Sequence, residues 1–223
     1  MKAESVEKRP DGFVARLQDG REARARRVLF ATGIRDELPD VKGLAERWAN
    51  GVLHCVYCHG YEIADQPVAL FAGADVAFRA AAAVYQLSRD LVLCTNGEKL
   101  PESERAKLSD RGVRIIETAI DHVGGYAPNL LIHFADGSQV SRLAIFVRTT
   151  LRDASDLPAR LGCALDAPHG VLVGSDWQTS VAGAYAAGDV AAPKDQVIVA
   201  AASGAQAAIA INGDLVQDDW QIV

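Results

Sequence analysis

A chain of 223 residues, 49% of them hydrophobic, can form one domain or two small ones around a substantial buried core. Its formal net charge of −6 argues against nucleic acid or an anionic membrane as the partner, because either favours a basic surface. Apolar stretches such as Ala80 to Val84 and Val197 to Ala202 fall far short of a bilayer span, and Met1 to Ser5 lacks the apolar core of a secretory signal, so no transmembrane segment and a soluble, cytoplasmic protein are expected.

The chain opens as antiparallel β structure. Gly12 to Leu17 alternates, Gln18-Asp19-Gly20 turns, and Glu22 to Arg27 leads into a buried strand, Val28 to Gly33. The basic run Arg21 to Arg27 reads as a solvated strand edge in preference to a binding patch. Pro39, Gly43 and Gly51 mark a linker. Strand Val68 to Phe71, turn Ala72 to Asp75, helix Ala77 to Ser88 and strand Leu91 to Cys94 then form a βαβ unit, one half of a nucleotide-binding fold. Helix Glu102 to Arg111, strand Val113 to Glu117, and hairpin strands Leu130 to Phe134 and Leu143 to Val147 complete this middle module.

After Pro158 a third stretch begins, in which Gly170 to Val173 is expected to pair with Ala184 to Ala187, closed by Gly188-Asp189. A helix from about Asp195 to Asn212 follows, with Asn212-Gly213 as its C-cap. A helix N-terminus just beyond Gly188-Asp189 offers free N–H groups to an anionic or electron-rich cofactor edge.

Cys55-Val56-Tyr57-Cys58-His59 carries the most chemistry. Two cysteines three positions apart can close a disulfide across one turn, and either thiolate can be stabilised by a neighbouring cation or a helix N-terminus. Zinc is the alternative for such a pair, but it needs two further ligands, and Cys94 and Cys163 stand singly and far away. Cys-x-x-Cys-His is also the haem c attachment pattern with His59 as axial ligand, which requires translocation and a second axial ligand, and Met1 is the only methionine. His54 could lower a thiol pKa or cap a turn. His122, His133 and His169 read as structural or surface residues, and Cys94 and Cys163 as small buried ones.

Three elements taken in order, Val28-Leu29-Phe30-Ala31-Thr32-Gly33, Cys55-x-x-Cys58, and Gln178 to Val190 ending in Ala187-Gly188-Asp189-Val190, resemble the low-molecular-weight thioredoxin reductase family of FAD-dependent pyridine nucleotide-disulfide oxidoreductases. The resemblance runs from about Arg21 to Gly213. It implies an α/β, Rossmann-like, two-domain FAD/NAD(P)-binding fold, N-terminally truncated. Residues 1–47 would be a remnant of the FAD-binding domain, 48–148 a degenerate NAD(P)-binding-like domain carrying the cysteines, and 149–223 the C-terminal part of the FAD-binding domain.

By the same resemblance, Thr32, Gly33, Gly188, Asp189, Gln196 and Val197 would hold FAD. Asp189 would accept from a ribityl hydroxyl, and the helix start at Gln196, Val197 and Ala200 would face the flavin pyrimidine edge. Cys58 would lie next to the flavin and Cys55 would be the interchange thiol, with His59 handling protons where the family usually places an acidic residue. The implied partner is a small-molecule dithiol or a thioredoxin-like protein, and the implied assembly a homodimer.

This sequence departs from the family pattern in two places. No Gly-x-Gly-x-x-Gly precedes Ala31-Thr32-Gly33, so the family's FAD-pyrophosphate cradle is missing, and a fragment, a split subunit needing a partner, or weakened FAD binding is expected. Where Gly-x-Gly-x-x-Ala should bind a nicotinamide nucleotide the chain reads Ala72-Gly73-Ala74-Asp75-Val76-Ala77, and where a basic cluster should hold the 2′-phosphate it reads Thr95-Asn96-Gly97-Glu98. These losses resemble the branch of dithiol oxidases that close disulfides in small natural products such as gliotoxin and holomycin. The run Cys55 to Glu62 is also similar to theirs. The expectation is thiol–disulfide exchange coupled to FAD without NADPH, the alternatives being an NADPH-dependent thioredoxin reductase and a non-catalytic subunit.

Overall fold

A computed structural model describes residues 2–166, 169–191 and 196–221. The chain divides into two compact units, one of Met1–Asp36 with Leu151–Val223 and the other of Glu37–Thr150. The first boundary falls ahead of the 47/48 position expected from sequence. Val41 and Leu44, in the supposed linker, are buried in the core of the inner unit.

In the outer unit, β1 (Ala3–Arg9), β2 (Gly12–Leu17) and β3 (Glu22–Ala25) form an antiparallel meander. Strand β1 has no sequence signature because only its intermittent apolar residues, Ala3 and Val6, reach the core. Next come β4 (Val28–Phe30) and β5 (Ile34–Glu37), the last strand before the inner unit.

The inner unit contains β6 (Val52–Leu53), α1 (Val56–His59), β7 (Val68–Phe71), α2 (Ala74–Tyr85), β8 (Leu91–Cys94), α3 (Glu102–Ser109) and β9 (Arg114–Ile116). These are followed by β10 (Ile120–Tyr126), β11 (Asn129–Phe134), β12 (Gln139–Arg142) and β13 (Ala144–Val147). The expected hairpin between the segments at 130–134 and 143–147 does not form. β11 pairs with β10 and β12, while β13 enters a parallel five-stranded sheet of order β6-β13-β7-β8-β9.

Burial on both faces explains that choice, since every residue of β7, β8 and β13 is buried, as in a parallel sheet covered on two sides. Alternate side chains sort by face. Ala69, Phe71, Val92, Cys94, Ile145 and Val147 pack on the β10–β12 meander, and Val68, Leu70, Leu91, Leu93, Ala144 and Phe146 pack on the helices. Each large side chain buried this way contributes roughly 1.5–3 kcal/mol. The strand order reverses at β7, with α2 and β8 leading one way and β13 arriving on the other side, so the carboxyl ends of β7 and β13 flank a topological switch point.

Back in the outer unit are β14 (Thr150–Asp153), which pairs with β5, then α4 (Leu157–Leu161), β15 (Ala184–Ala186) and α5 (Val197–Trp220). Gly170 to Val173 does not pair with β15. Val171 and Val173 make single bridges to Leu165 and Thr179, and β15 pairs in parallel with β4. Asp195, the expected helix start, lies outside the described residues.

Helix α5 runs through Asn212-Gly213 rather than ending there, because residues beyond Gly213 are tied down. The buried Tyr185 donates its hydroxyl proton to Asp214, and Arg27 donates to Asp214 at 3.5 Å and to Asp218 at 2.6 Å. Burial and then the Asp214 carboxylate hold the Tyr185 phenol above its usual range. By length and composition α5 could cross a membrane, where the sequence suggests no such segment, but these polar ties and the buried Ser203 engage it with the outer unit.

Candidate functional site

The cysteine pair sits where β6 ends. Leu53 is buried against the helical layer, His54 turns the chain, and Cys55 precedes the first residue of α1 in extended backbone (φ −98°, ψ 112°). Cys58 lies one turn further on with its Cα 5.3 Å from that of Cys55, and the two sulfurs are joined in a disulfide. The turn is clamped to the segment after α2. A Cβ on Gly60 would stand 2.3 Å from the Val56 carbonyl oxygen and 2.5 Å from a Leu87 methyl, and Asp65 N–H donates to Leu87 C=O at 2.9 Å.

Cys55 is half-buried, whereas Cys58 and His59 are exposed, and Tyr57 and Tyr61 expose 83% and 92% of their surface. The disulfide turn is therefore accessible to a reagent. The imidazole of His54 meets Trp48 edge-on with centroids 5.5 Å apart. By contrast Cys94 and Cys163 are buried, and burial pushes the Cys94 thiol up to about 12. After mild reduction, native protein at pH 8 is expected to take up two equivalents of alkylating agent, at Cys55 and Cys58; peptide mass mapping that finds Cys94 labelled would contradict this burial.

At the switch point, α2 begins with Gly73 as N-cap, earlier than the sequence suggests, and its first N–H groups meet an acceptor already in place. The Glu98 carboxylate accepts from Ala74 N–H at 2.7 Å, and an Asp75 carboxylate oxygen lies 3.0 Å from where a Gly73 Cβ would be. The loop after β8 supplies Glu98 by folding back on itself. The Thr95 hydroxyl donates to the Glu98 carbonyl at 2.5 Å, and the Asn96 side-chain oxygen accepts from Ile120 N–H at 2.7 Å. Between α1, α2 and the ends of β7 and β13 opens a cavity of about 350 Å³ with a Leu70, Val84 and Phe146 floor. Its edge carries Arg79 and Arg148, which the sequence motifs do not single out.

In the outer unit the parallel register Ala184↔Val28, Tyr185↔Leu29, Ala186↔Phe30 brings Thr32-Gly33 and Gly188-Asp189 together just beyond the strand ends. Both glycines have positive φ, +70° and +76°, and nothing lies within 4 Å of where either Cβ would be, so open space borders both. The Thr32 hydroxyl is buried without a hydrogen-bond partner, and the Asp189 carboxylate has none among the described residues. Gln196 is the N-cap of α5 in extended backbone with no side-chain cap, and Val197 is 88% exposed.

Ser203, which no sequence motif marks, fixes this arrangement. It is buried in α5, its Oγ accepts from Gly188 N–H at 2.8 Å, and it donates to Ala200 C=O at 2.8 Å. S203A is expected to strand the Gly188 N–H and destabilise the outer unit by about 1–3 kcal/mol, read as a lower denaturant midpoint; an unchanged midpoint would contradict it. The residues suggested by sequence thus fall into two groups, Thr32, Gly33, Gly188, Asp189, Gln196 and Val197 in the outer unit and Cys55, Cys58 and His59 in the inner unit.

The sequence profile described as pyridine nucleotide-disulphide oxidoreductase matches residues 2–208. The chain belongs to that family. Among its relatives, thioredoxin reductase sirT of Leptosphaeria maculans is 28% identical over 90% of this chain and 66% of its own length. The thioredoxin reductase of Helicobacter pylori is 27% identical over 92% of this chain and 71% of its own. The crystal structure of HlmI superposes with a TM-score of 0.91 at 37% identity, covering 99% of this chain and 71% of that one. The chain therefore has the Rossmann-like α/β fold of thioredoxin reductase-like oxidoreductases, and it spans about two thirds of the curated relatives it matches.

Proposed function

We propose that this chain carries out thiol–disulfide exchange through Cys55 and Cys58, coupled to FAD, as a dithiol oxidase that uses no nicotinamide nucleotide. The observation that carries the last part is Glu98. The helix start that would receive a nucleotide pyrophosphate already holds a carboxylate of the protein itself, next to Asp75. No arginine stands in the Thr95–Glu98 loop to pair a 2′-phosphate.

The residues present fit the ribityl and ring portion of FAD. Among the described residues the buried Thr32 hydroxyl and the Asp189 carboxylate have no hydrogen-bond partner and offer a donor and an acceptor, the open space at Gly33 and Gly188 admits a ligand against backbone, and α5 begins at Gln196 with no side-chain cap. Asp189 would hold ribityl hydroxyls. In this reading the outer unit is the FAD-binding half and the inner unit a nucleotide-binding-like domain turned to thiol chemistry. FAD bound there would supply the two-electron acceptor through which the reduced cysteine pair returns to the disulfide, with oxygen as the terminal acceptor.

Exchange begins with a substrate thiolate attacking the Cys55 sulfur, forming a mixed disulfide and releasing Cys58 as a thiolate. The second substrate thiol attacks the substrate sulfur bonded to Cys55, closing the product disulfide and releasing the Cys55 thiolate. Exposed His59, next to Cys58, takes up the released proton at its imidazole. The balance is one dithiol and one oxygen giving one cyclic disulfide and one hydrogen peroxide. Aerobic dithiol consumption by the FAD-supplemented chain is expected to match oxygen uptake one for one with no NADPH present; a strict NADPH requirement would make it a reductase.

A second reading, a subunit whose FAD half is completed by a partner, is favoured by α5, which leaves Val197, Ile198, Ile209 and Trp220 largely exposed. FAD retained through gel filtration by this chain alone would speak against that reading.

A further inference from the structure

The cavity beside the disulfide turn combines two features that together select a ligand. Its floor is apolar, with Leu70, Val84 and Phe146 buried, while Arg79 and Arg148 at its edge are exposed and have no carboxylate partner among the described residues. Elsewhere the arginines of this acidic chain mostly find partners. Arg16, Arg26, Arg27, Arg105 and Arg142 each sit within ion-pair distance of a carboxylate. Two unpaired guanidiniums over an apolar floor form a complement to a molecule with a hydrocarbon body and an anionic end.

The cavity also touches the chemistry. His54, Val56 and Tyr57, the residues flanking Cys55, line it, and it lies at the switch point of the parallel sheet, where open α/β folds bind ligands. At about 350 Å³ it is at the small end of ligand sites, suited to a small molecule held inside and too small to enclose a protein loop and its neighbours. Glu98 occupies the first N–H of α2, and the guanidinium groups among the residues lining the cavity are those of Arg79 and Arg148.

We infer that the substrate of the Cys55–Cys58 couple is a small, largely apolar dithiol bearing a carboxylate, seated in this cavity with its anionic end between Arg79 and Arg148 and its sulfurs toward Cys55. This rests on the exchange reaction proposed above and names its substrate class. The transfer is balanced within the couple: the dithiol loses two electrons and two protons as its S–S bond forms, and the Cys55–Cys58 S–S bond takes them up as it breaks.

Dihydrolipoate and dihydrolipoamide carry the same dithiol and differ only in a carboxylate or amide end, which makes them the probe pair. With the full chain and added FAD under anaerobic conditions, initial reduction of the Cys55–Cys58 disulfide is followed by quenching with an alkylating agent and mass analysis. The carboxylate is expected to lower the half-saturating concentration by about tenfold at low ionic strength, with the advantage shrinking as salt is raised. The R79Q/R148Q variant should erase the advantage by slowing dihydrolipoate alone, and R24Q, at an exposed arginine of the other unit, should leave it intact. Equal use of the two dithiols, or a preference surviving in R79Q/R148Q, would overturn the assignment while leaving the exchange reaction standing. Failure of both dithiols to reduce a pair that a phosphine reduces would bring down the exchange reaction and this inference with it.

Discussion

Replacing Glu98 by glutamine is expected to raise the affinity for NADH and NADPH by about two- to fivefold, the factor corresponding to the about 0.3–1 kcal/mol of charge–dipole interaction that the carboxylate adds at the helix start and a pyrophosphate must otherwise displace. In the native chain a hydrogen bond joins the Glu98 carboxylate to Ala74 N–H at 2.7 Å. A nucleotide approaching the α2 N-terminus meets both this occupied donor and the negative charges of Glu98 and Asp75. Glutamine still offers an oxygen to Ala74, so α2 should keep its first turn and lose only about 0.3–1 kcal/mol of charge–dipole interaction. Because Thr95-Asn96-Gly97 offers no cation, E98Q should gain equally for NADH and NADPH. Calorimetric titration measures both; unchanged affinity in a variant of normal thermal stability would show that Glu98 is not what keeps the nucleotide out.

C58S is expected to reduce dithiol oxidation to background while trapping the substrate. A serine hydroxyl cannot form the disulfide, so Cys55 remains half-buried beside the cavity and free to exchange, and no second thiol returns electrons to the flavin. Given an oxidised substrate, the variant should accumulate a covalent adduct of one substrate per chain at Cys55, visible by intact mass and removed by a phosphine. C55S should form less adduct, because exposed Cys58 is assigned to the flavin side of the couple. Turnover by C58S at the native rate would remove the cysteine pair from the mechanism, and an adduct preferring C55S would exchange the roles of the two thiols.

Much of the frame is legible in the sequence because buried strands of a parallel sheet are short unbroken apolar runs. Val68–Phe71 and Leu91–Cys94 are such runs, whereas Val28–Phe30, expected from the same pattern to be buried, leaves Leu29 37% exposed; a glycine with positive φ at Gly33 or Gly188 marks where a strand ends against open space. A run of this kind does not name its neighbour. Ala144–Val147 has the same pattern whether it pairs in a hairpin or enters the sheet beside β7, and only the fold decides. Strand β1 is hidden for the opposite reason, as its charged residues contribute backbone pairing and little core.

Gly213 illustrates a local rule overruled by distant partners. A mid-helix glycine costs about 1 kcal/mol, and the ties from Asp214 and Asp218 to Tyr185 and Arg27 offset it. The cysteine turn and the Gly188-Asp189 element are readable as motifs. Arg79, Arg148, Ser203 and the capping role of Glu98 are not, since each depends on which distant segment the fold brings alongside.

The most direct measurement is an anaerobic titration of the purified chain, loaded with FAD, followed by flavin absorbance. A dithiol should bleach the flavin with one equivalent for the cysteine couple and one for the cofactor, while NADPH at the same concentration leaves the spectrum oxidised. Bleaching by NADPH, together with a flavin that stays oxidised under excess dithiol, would contradict the assignment of Cys55 and Cys58 as the entry point for electrons.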